Sequence, residues 1–311
     1  MINVSGLTKY YGDFLAVDNI SFSIREGEIT GLLGPNGAGK TTTLRMLTCY
    51  LNPTSGRINI GDYLVDENPL EVKKLIGYLP ETAPLYSEMV VYDYLQFVGE
   101  IRSIVDQTRI KEIANLCGLN DVMHKNIGAL SKGYKQRVGL AHAMIHDPEI
   151  LILDEPTSGL DPNQIIEIRN LIKRIGQKKT VILSTHILSE VEATCDRVII
   201  IDSGHIVADA RTSELKSGVG KDVKLSIKVS GVNFNTLSEE VKKIDGINSI
   251  KEKHDEEGLT SATVISSSDK DARADIFKLI SERGWILFEM LKEHRTLENV
   301  FRELTRGGDN E

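Results

Sequence analysis

The chain has 311 residues, 41% of them hydrophobic and 26% charged, with a formal net charge of −8. That length suits two domains, and the composition is globular, which excludes the disordered and fibrous classes. The acidic balance, with no visible basic stripe, argues against a nucleic-acid surface, because binding a phosphate backbone needs clustered excess Lys and Arg.

The first residues, Met1 to Ser5, carry no basic stretch followed by an apolar one, so no secretory signal is read and a cytoplasmic location is expected. Ile2 to Leu7 and Ile20 to Ile24 look like β segments flanking a turn at Tyr11-Gly12-Asp13. Tyr11 reads either as an aromatic that stacks on a nucleotide base or as a tyrosine packed on a sheet edge. An apolar strand, Glu28 to Leu33, then leads into Gly34-Pro35-Asn36-Gly37-Ala38-Gly39-Lys40-Thr41-Thr42, with a helix expected from Thr41 to Leu51.

That loop fits G-x-x-x-x-G-K-[ST] in the strand–loop–helix context the motif requires. Wrapping a polyphosphate with backbone N–H groups demands a tightly curled chain, which glycine allows, and the helix that follows turns its positive end to the same anion. Lys40 is expected to reach the β- and γ-phosphates, and the Thr41 hydroxyl to sit on Mg²⁺.

Asn52-Pro53 and Ser55-Gly56 turn the chain into a strand from Arg57 to Ile60, and Ile76 to Leu79 is a further short strand closed by Pro80. Glu81 to Ser87 reads as a loop. Val90 to Ile104 and Thr108 to Cys117 are helix candidates, so residues from about 82 to 147 are expected to form a helical subdomain inserted in an α/β core. Leu130-Ser131-Lys132-Gly133-Tyr134-Lys135-Gln136 opens another helix, running to about His146. Ser131 and Gly133 offer a hydroxyl and backbone N–H groups to an anion, although N-capping explains the serine equally well.

Ile150 to Leu153 is a continuous apolar run, as in a central parallel strand buried on both faces. It ends in Asp154-Glu155, and paired carboxylates at the carboxyl end of a buried strand are costly unless they serve an ion or a reaction. Asp154 is expected to hold Mg²⁺ and Glu155 to act as general base toward the attacking water. Asp161 and Pro162 start a helix whose apolar face runs from Ile165 to Ile175. The next strand, Thr180 to Leu183, leads to His186, read either as a satisfied structural group or as a group aimed at the γ-phosphate. Val198 to Asp202 and His205 to Ala208 form a closing hairpin, followed by a helix from Thr212 to Lys216.

The glycines after Ser217 set the expected boundary, between residues 1–218 and an accessory domain at 221–311. Beyond it, Val223, Leu225, Ile227 and Val229 alternate as in a half-buried strand. A helix from Phe234 to Ile244, strands flanking the acidic turn at Asp255 to Gly258, a helix from Ala272 to Arg283, a strand from Trp285 to Leu291 and a helix from Leu297 to Leu304 complete a ferredoxin-like α+β order. Trp285 is expected in the core. Cys49, Cys117 and Cys195 lie far apart among apolar neighbours and read as reduced core residues rather than metal ligands. No apolar run approaches the roughly 20 residues that span a bilayer, so any membrane role must come through a partner.

Taken in order, Gly34 to Thr42, Leu130 to Gln136, Leu153 to Pro156, Ser158 to Asp161 and His186 resemble the ATP-binding subunit of an ABC transporter, over residues 1 to about 218. The resemblance implies a P-loop ABC cassette, with Tyr11 stacking on adenine and Ser131 and Gly133 as signature residues. Asp161 joins the nucleotide-contacting set on the same ground. It further implies two cassettes, identical or related, that sandwich two ATP molecules and drive separate transmembrane permease subunits from the inner face of the cell membrane. Glu81 stands where the family usually has glutamine, keeping an oxygen for Mg²⁺ and water while losing the amide donor. That variation, the Ser-Lys-Gly-Tyr signature and the ending Leu297-Glu298-Asn299-Val300-Phe301 are similar to exporter-type ATPases with a C-terminal extension, including those of gliding motility, drug and lipid export. The rival reading, a soluble ABC ATPase acting on ribosomes or DNA, fits less well: such proteins usually join two cassettes or insert a long coiled coil, and this chain has one phosphate loop.

Overall fold

The computed structural model describes residues 1–104, 106–217, 222–253, 259–267 and 271–293. Its compact units divide between Ser213 and Glu214. Gly218, Val219 and Gly220, the expected boundary, lie outside the described residues, as do the acidic turn at Asp255 to Gly258 and the helix expected from Leu297 to Leu304.

The first unit opens with a hairpin, β1 (Ile2–Tyr11) and β2 (Phe14–Ile24), followed by β3 (Ile29–Leu33), α1 (Lys40–Leu47), β4 (Ser55–Ile60), β5 (Tyr63–Leu64), α2 (Pro69–Leu75) and β6 (Ile76–Leu79). Helices α3 (Val91–Ile101), α4 (Gln107–Cys117) and α5 (Lys132–Met144) make the helical block. Then β7 (Ile150–Asp154), α6 (Pro162–Gly176), β8 (Thr180–Thr185), α7 (Leu188–Thr194), β9 (Arg197–Asp202) and β10 (His205–Arg211) follow, and the division falls within α8 (Thr212–Ser217).

Two sheets result. The smaller has the order β2-β1-β4-β5, and the larger the order β10-β9-β3-β8-β7-β6. In the larger sheet β9, β3, β8, β7 and β6 are parallel, with β10 antiparallel at the edge. Every residue of β3, β7 and β8 is buried, which is why their sequences do not alternate apolar with polar residues. The core lies between the sheets: Val4, Phe22, Ile58 and Ile60 pack with Leu44, Met46 and Leu47 of α1 and with Ile150, Ile152, Ile182, Ile199 and Ile201. α1 is thereby held with its N-terminus at the carboxyl ends of the parallel strands.

Register brings those strand ends to one edge. Leu33 pairs with Thr185, Asp154 with Ser184, and Leu79 with Leu153. Ligands bind at that edge of an open α/β sheet.

Several boundaries differ from the sequence pattern. β1 extends to Tyr11 because the hairpin pairs Tyr11 with Phe14. α1 ends at Leu47, before Cys49, which takes a left-handed φ of 55°. α3 and α5 stop two or three residues early. The short helices α2 and α7 escape the sequence reading, because seven residues give too few turns for an apolar period to register.

The second unit has β11 (Asp222–Ser230), α9 (Phe234–Val241), β12 (Ile247–Lys253), β13 (Thr260–Ser267), α10 (Arg273–Glu282) and β14 (Ile286–Glu293). Its antiparallel sheet has the order β12-β13-β11-β14. The alternation of Leu225, Ile227 and Val229 buries one face against Leu237, Val241, Ile276 and Ile280 of the helices. Trp285 packs on the rim of this cluster and is only partly buried, short of the core position expected of it.

Candidate functional site

The phosphate-loop motif curls tightly at the end of β3. A Cβ on Gly34 would collide with the Ile201 carbonyl oxygen, and Gly39, at φ 106°, would bring one within 2.6 Å of Ala16 O. Both positions therefore require glycine. Gly39 caps α1 without any side-chain hydrogen bond, so the first-turn N–H groups have no side-chain acceptor. Asn36 to Thr42 line a cleft of about 430 Å³ together with Tyr11, Phe14, Ala16, Glu81, Glu155, Ser158 and His186.

Lys40 is 6% exposed. Its ammonium donates to Gly34 O at 2.8 Å and Pro35 O at 3.1 Å, and lies 3.6 Å from Glu155 Oε1. The other Glu155 oxygen, Oε2, is 2.9 Å from His186 Nδ1. Nδ1 is thus engaged with the carboxylate, and His186 lines the cleft. Glu155 takes a left-handed φ of 47°, and its N–H donates to Ser184 Oγ at 2.9 Å. Strained backbone of this kind in a non-glycine residue persists where the surroundings over-determine it, commonly at functional sites.

Asp154 is 1% exposed and sits behind the loop. Its Oδ1 accepts from Thr41 Oγ1 at 3.1 Å and from Ser184 Oγ at 2.6 Å. These are hard oxygen donors beside the phosphate loop. Among the described residues no group of three His, Cys, Asp or Glu is placed to hold a metal. That pairing fits Mg²⁺, which takes one or two protein oxygens and completes its shell with phosphate and water, and does not fit zinc. Exposed Glu81 lines the same cleft.

Tyr11 lies at the mouth, 44% exposed, at the hairpin tip, so both sequence readings of it are compatible with its position. Phe14 beside it, 63% exposed, was not foreseen. Nor were Ser184, Thr185 and Thr157, whose only sequence signal is a polar residue inside or just after an apolar strand.

Ser131, Gly133 and Asp161 do not line this cleft. Ser131 caps α5, accepting from Tyr134 N at 3.4 Å, and Asp161 caps α6, accepting from Gln164 N at 2.9 Å. Gly133 packs against the Gln164 side chain, where a Cβ would come within 2.7 Å of Gln164 Oε1. The capping reading of the serine therefore holds within one chain; Ser131 and Lys132 are exposed, while Gly133 is buried.

A second cleft, of about 500 Å³, lies among α1, α3, α5 and β6. Arg45, Lys73, Arg102, His142 and His146 line it with Tyr50, Tyr78 and Tyr94, and among the described residues no carboxylate does. Tyr94 Oη is 2.6 Å from His142 Nδ1, and burial pushes the Tyr94 hydroxyl up to about 12. Burial, reinforced by Arg102, holds His146 down at about 4, and the same two causes lower His142. The fold thus keeps His146 neutral, while the unfolded chain takes up its proton near pH 6.5. Stability is full above that value and falls as the pH drops from about 6.5 toward about 4. Thermal unfolding of wild type and His146→Gln across this window is expected to give a shallower pH slope for the variant, and an unchanged slope would refute the assignment.

A model described as "ABC transporter" matches residues 17–158. An AAA-domain model overlaps it over residues 126–192. The bacitracin transport ATP-binding protein BcrA of Bacillus licheniformis is 34% identical over 310 residues, 99% of this chain and 98% of that one. The uncharacterized ABC transporter ATP-binding protein YxlF of Bacillus subtilis (strain 168) is 42% identical over 232 residues, 73% of this chain and 77% of that one. The dimeric structure of the cassette MJ0796 in a post-hydrolysis state, bound to ADP and Pi, superposes with a TM-score of 0.61 at 25% identity, covering 68% of this chain and 99% of that one. The chain belongs to the ABC transporter family, as an ATP-binding cassette whose relatives are ATPases coupled to transport.

Proposed function

We propose that this chain is the motor subunit of an exporter, closing as a dimer on ATP and reopening on hydrolysis to drive separate membrane subunits. The observation that carries this reading is the 2.9 Å contact of Glu155 with His186 beside the Lys40 loop. ATP's phosphates lie along Gly34 to Thr42, with the Lys40 ammonium neutralising the β- and γ-phosphates. Thr41, Asp154 and Glu81 would hold Mg²⁺, which supplies charge neutralisation on the phosphate oxygens when bound. Glu155 accepts the proton of the attacking water, and His186 orients Glu155 through Nδ1 while Nε2 faces the γ-phosphate. Tyr11 stacks on the adenine.

Ser131 and Gly133 fall outside their own chain's cleft, and the helix start at Ser131 and Lys132 is exposed although Gly133 itself is buried, which supports a role for this helix start against the ATP held by a second copy or a related cassette. The dimeric relative bound to ADP and Pi supports the same arrangement. Asp161, on the neighbouring helix cap, would join that contact.

Partners and direction follow from chemistry and kinship. No described helix is long and apolar enough to cross a membrane, so the permease subunits bring the path, and the chain sits peripherally on the cytoplasmic face. The aromatic, basic cleft beside the helical block is where we infer that motion passes to them. Export is inferred from the relative named for bacitracin transport, whose match extends through the C-terminal unit. That unit we read as ferredoxin-like, from its β-α-β-β-α-β order. We place the boundary between the domains at residues 218 to 221.

The test is affinity purification of the tagged full chain from detergent-solubilised membranes. A co-purifying polytopic membrane protein is expected. Recovery of ribosomes or DNA-bound factors alone would overturn the transporter reading.

A further inference from the structure

One more buried acid stands next to this chemistry. Glu190, on α7, is 3% exposed. It accepts a hydrogen bond from Thr157 Oγ1 at 2.5 Å on one oxygen and from Thr185 Oγ1 at 2.7 Å on the other. Both threonines are buried, at 4% and 0% exposed. Thr157 follows Glu155-Pro156 and begins the loop to Asp161, while Thr185 ends β8 and directly precedes His186. The Thr185 hydroxyl also accepts from Ile187 N at 3.0 Å, at the start of α7.

One carboxylate therefore spans the segments that carry the two interacting groups of the site. It is an expensive way to hold a helix on a sheet: its hydrogen bonds come from two neutral hydroxyls, and a desolvated charge is stabilised less by these than by a cation. A packed apolar side chain would anchor α7 at lower cost. Two charge-assisted, directional bonds, one to each segment, instead fix the distance between them.

We propose that Glu190 is a positioning residue for ATP hydrolysis, clamping the loop after Glu155 to the strand end before His186 and so holding that pair in hydrogen-bonding register. The inference rests on the reading of Glu155 as general base. Cutting the clamp lets the two segments drift, and a misplacement of about 1 Å at a reacting pair can cost roughly 100-fold in rate. The grip of Lys40 and the loop on the phosphates uses none of these bonds, so the effect falls on kcat and spares KM.

The experiment compares the full-length wild type with Glu190→Gln, Thr157→Val, Thr185→Val and Glu155→Gln, measuring kcat, KM for ATP and the thermal unfolding midpoint. Glu190→Gln keeps one accepting oxygen and replaces the other with a donor. Its kcat is expected to fall roughly ten- to a hundred-fold with KM changed less than about threefold. Each Thr→Val variant is expected to lower kcat too, and to add less than its full factor when combined with Glu190→Gln, as members of one network do. Thr157→Ser, which keeps the hydroxyl, is expected to recover most of the rate lost in Thr157→Val. A wild-type kcat in Glu190→Gln overturns the clamp, as does a loss explained by a lowered unfolding midpoint alone. If Glu190→Gln does not fold, the two Thr→Val variants decide by the same readouts. Turnover in Glu155→Gln equal to wild type overturns the base assignment itself; an inactive Glu155→Gln beside an unaffected Glu190→Gln overturns only the clamp.

Discussion

Glu155→Gln is expected to lower steady-state ATP hydrolysis by roughly 10²- to 10⁴-fold while leaving ATP binding intact, the range set by loss of a positioned general base. The substitution is nearly isosteric, so the hydrogen bond from the Glu155 N–H to Ser184 Oγ and the left-handed backbone at this position can persist. What disappears is the oxygen that, in the proposed role, takes a proton from water. Binding depends instead on the loop from Gly34 to Thr42 and on Lys40, which the change leaves in place. Phosphate release gives the rate, and a fluorescent ATP analogue titrated in parallel gives the affinity. A variant turning over within about threefold of wild type would remove Glu155 from the base role. In the dimeric reading, the same variant should accumulate as a larger species on size-exclusion chromatography in the presence of ATP and Mg²⁺.

Lys40→Ala is expected to act the other way, on binding first. The Lys40 ammonium is buried, pinned by two loop carbonyls and close to Glu155, so its charge acts where water screens it poorly. Removing it deprives the phosphates of a cation and leaves the Glu155 carboxylate without its positive neighbour. ATP affinity should weaken roughly ten- to a hundred-fold, about 1.4 to 2.8 kcal/mol, and hydrolysis should fall with it. Calorimetric titration of ATP checks the first effect. Affinity unchanged from wild type would mean that backbone N–H groups alone hold the phosphates.

These two residues also mark how far the sequence reaches. Lys40, Thr41, Asp154, Glu155 and His186 stand out in the sequence because they are marked residue types at fixed offsets from strand ends, and the structure brings them into contact: Lys40 with Glu155, Glu155 with His186, Thr41 with Asp154. A glycine-rich loop opening a helix, or two acids closing a wholly apolar strand, has few other physical explanations. The central strand β7 was legible for the same kind of reason, since it is buried on both faces and Ile150 to Leu153 read as a continuous apolar run. Kinship confirms the ABC cassette fold that these features implied.

Other features depended on residues far apart in the chain. Glu190 looks like any acid on a short polar helix, and only packing buries it against Thr157, 33 positions away. Phe14 gained a place at the cleft because the hairpin folds back and pairs it with Tyr11. Ser131 and Asp161, expected as nucleotide contacts, cap helices outside the cleft within a single chain. Local sequence thus determined the elements and the chemistry at their ends, where periodicity and backbone conformation are short-range effects. The tertiary structure alone decided which strand ends meet, how a buried acid ties them together and which groups lie outside the cleft, because those depend on long-range register and burial.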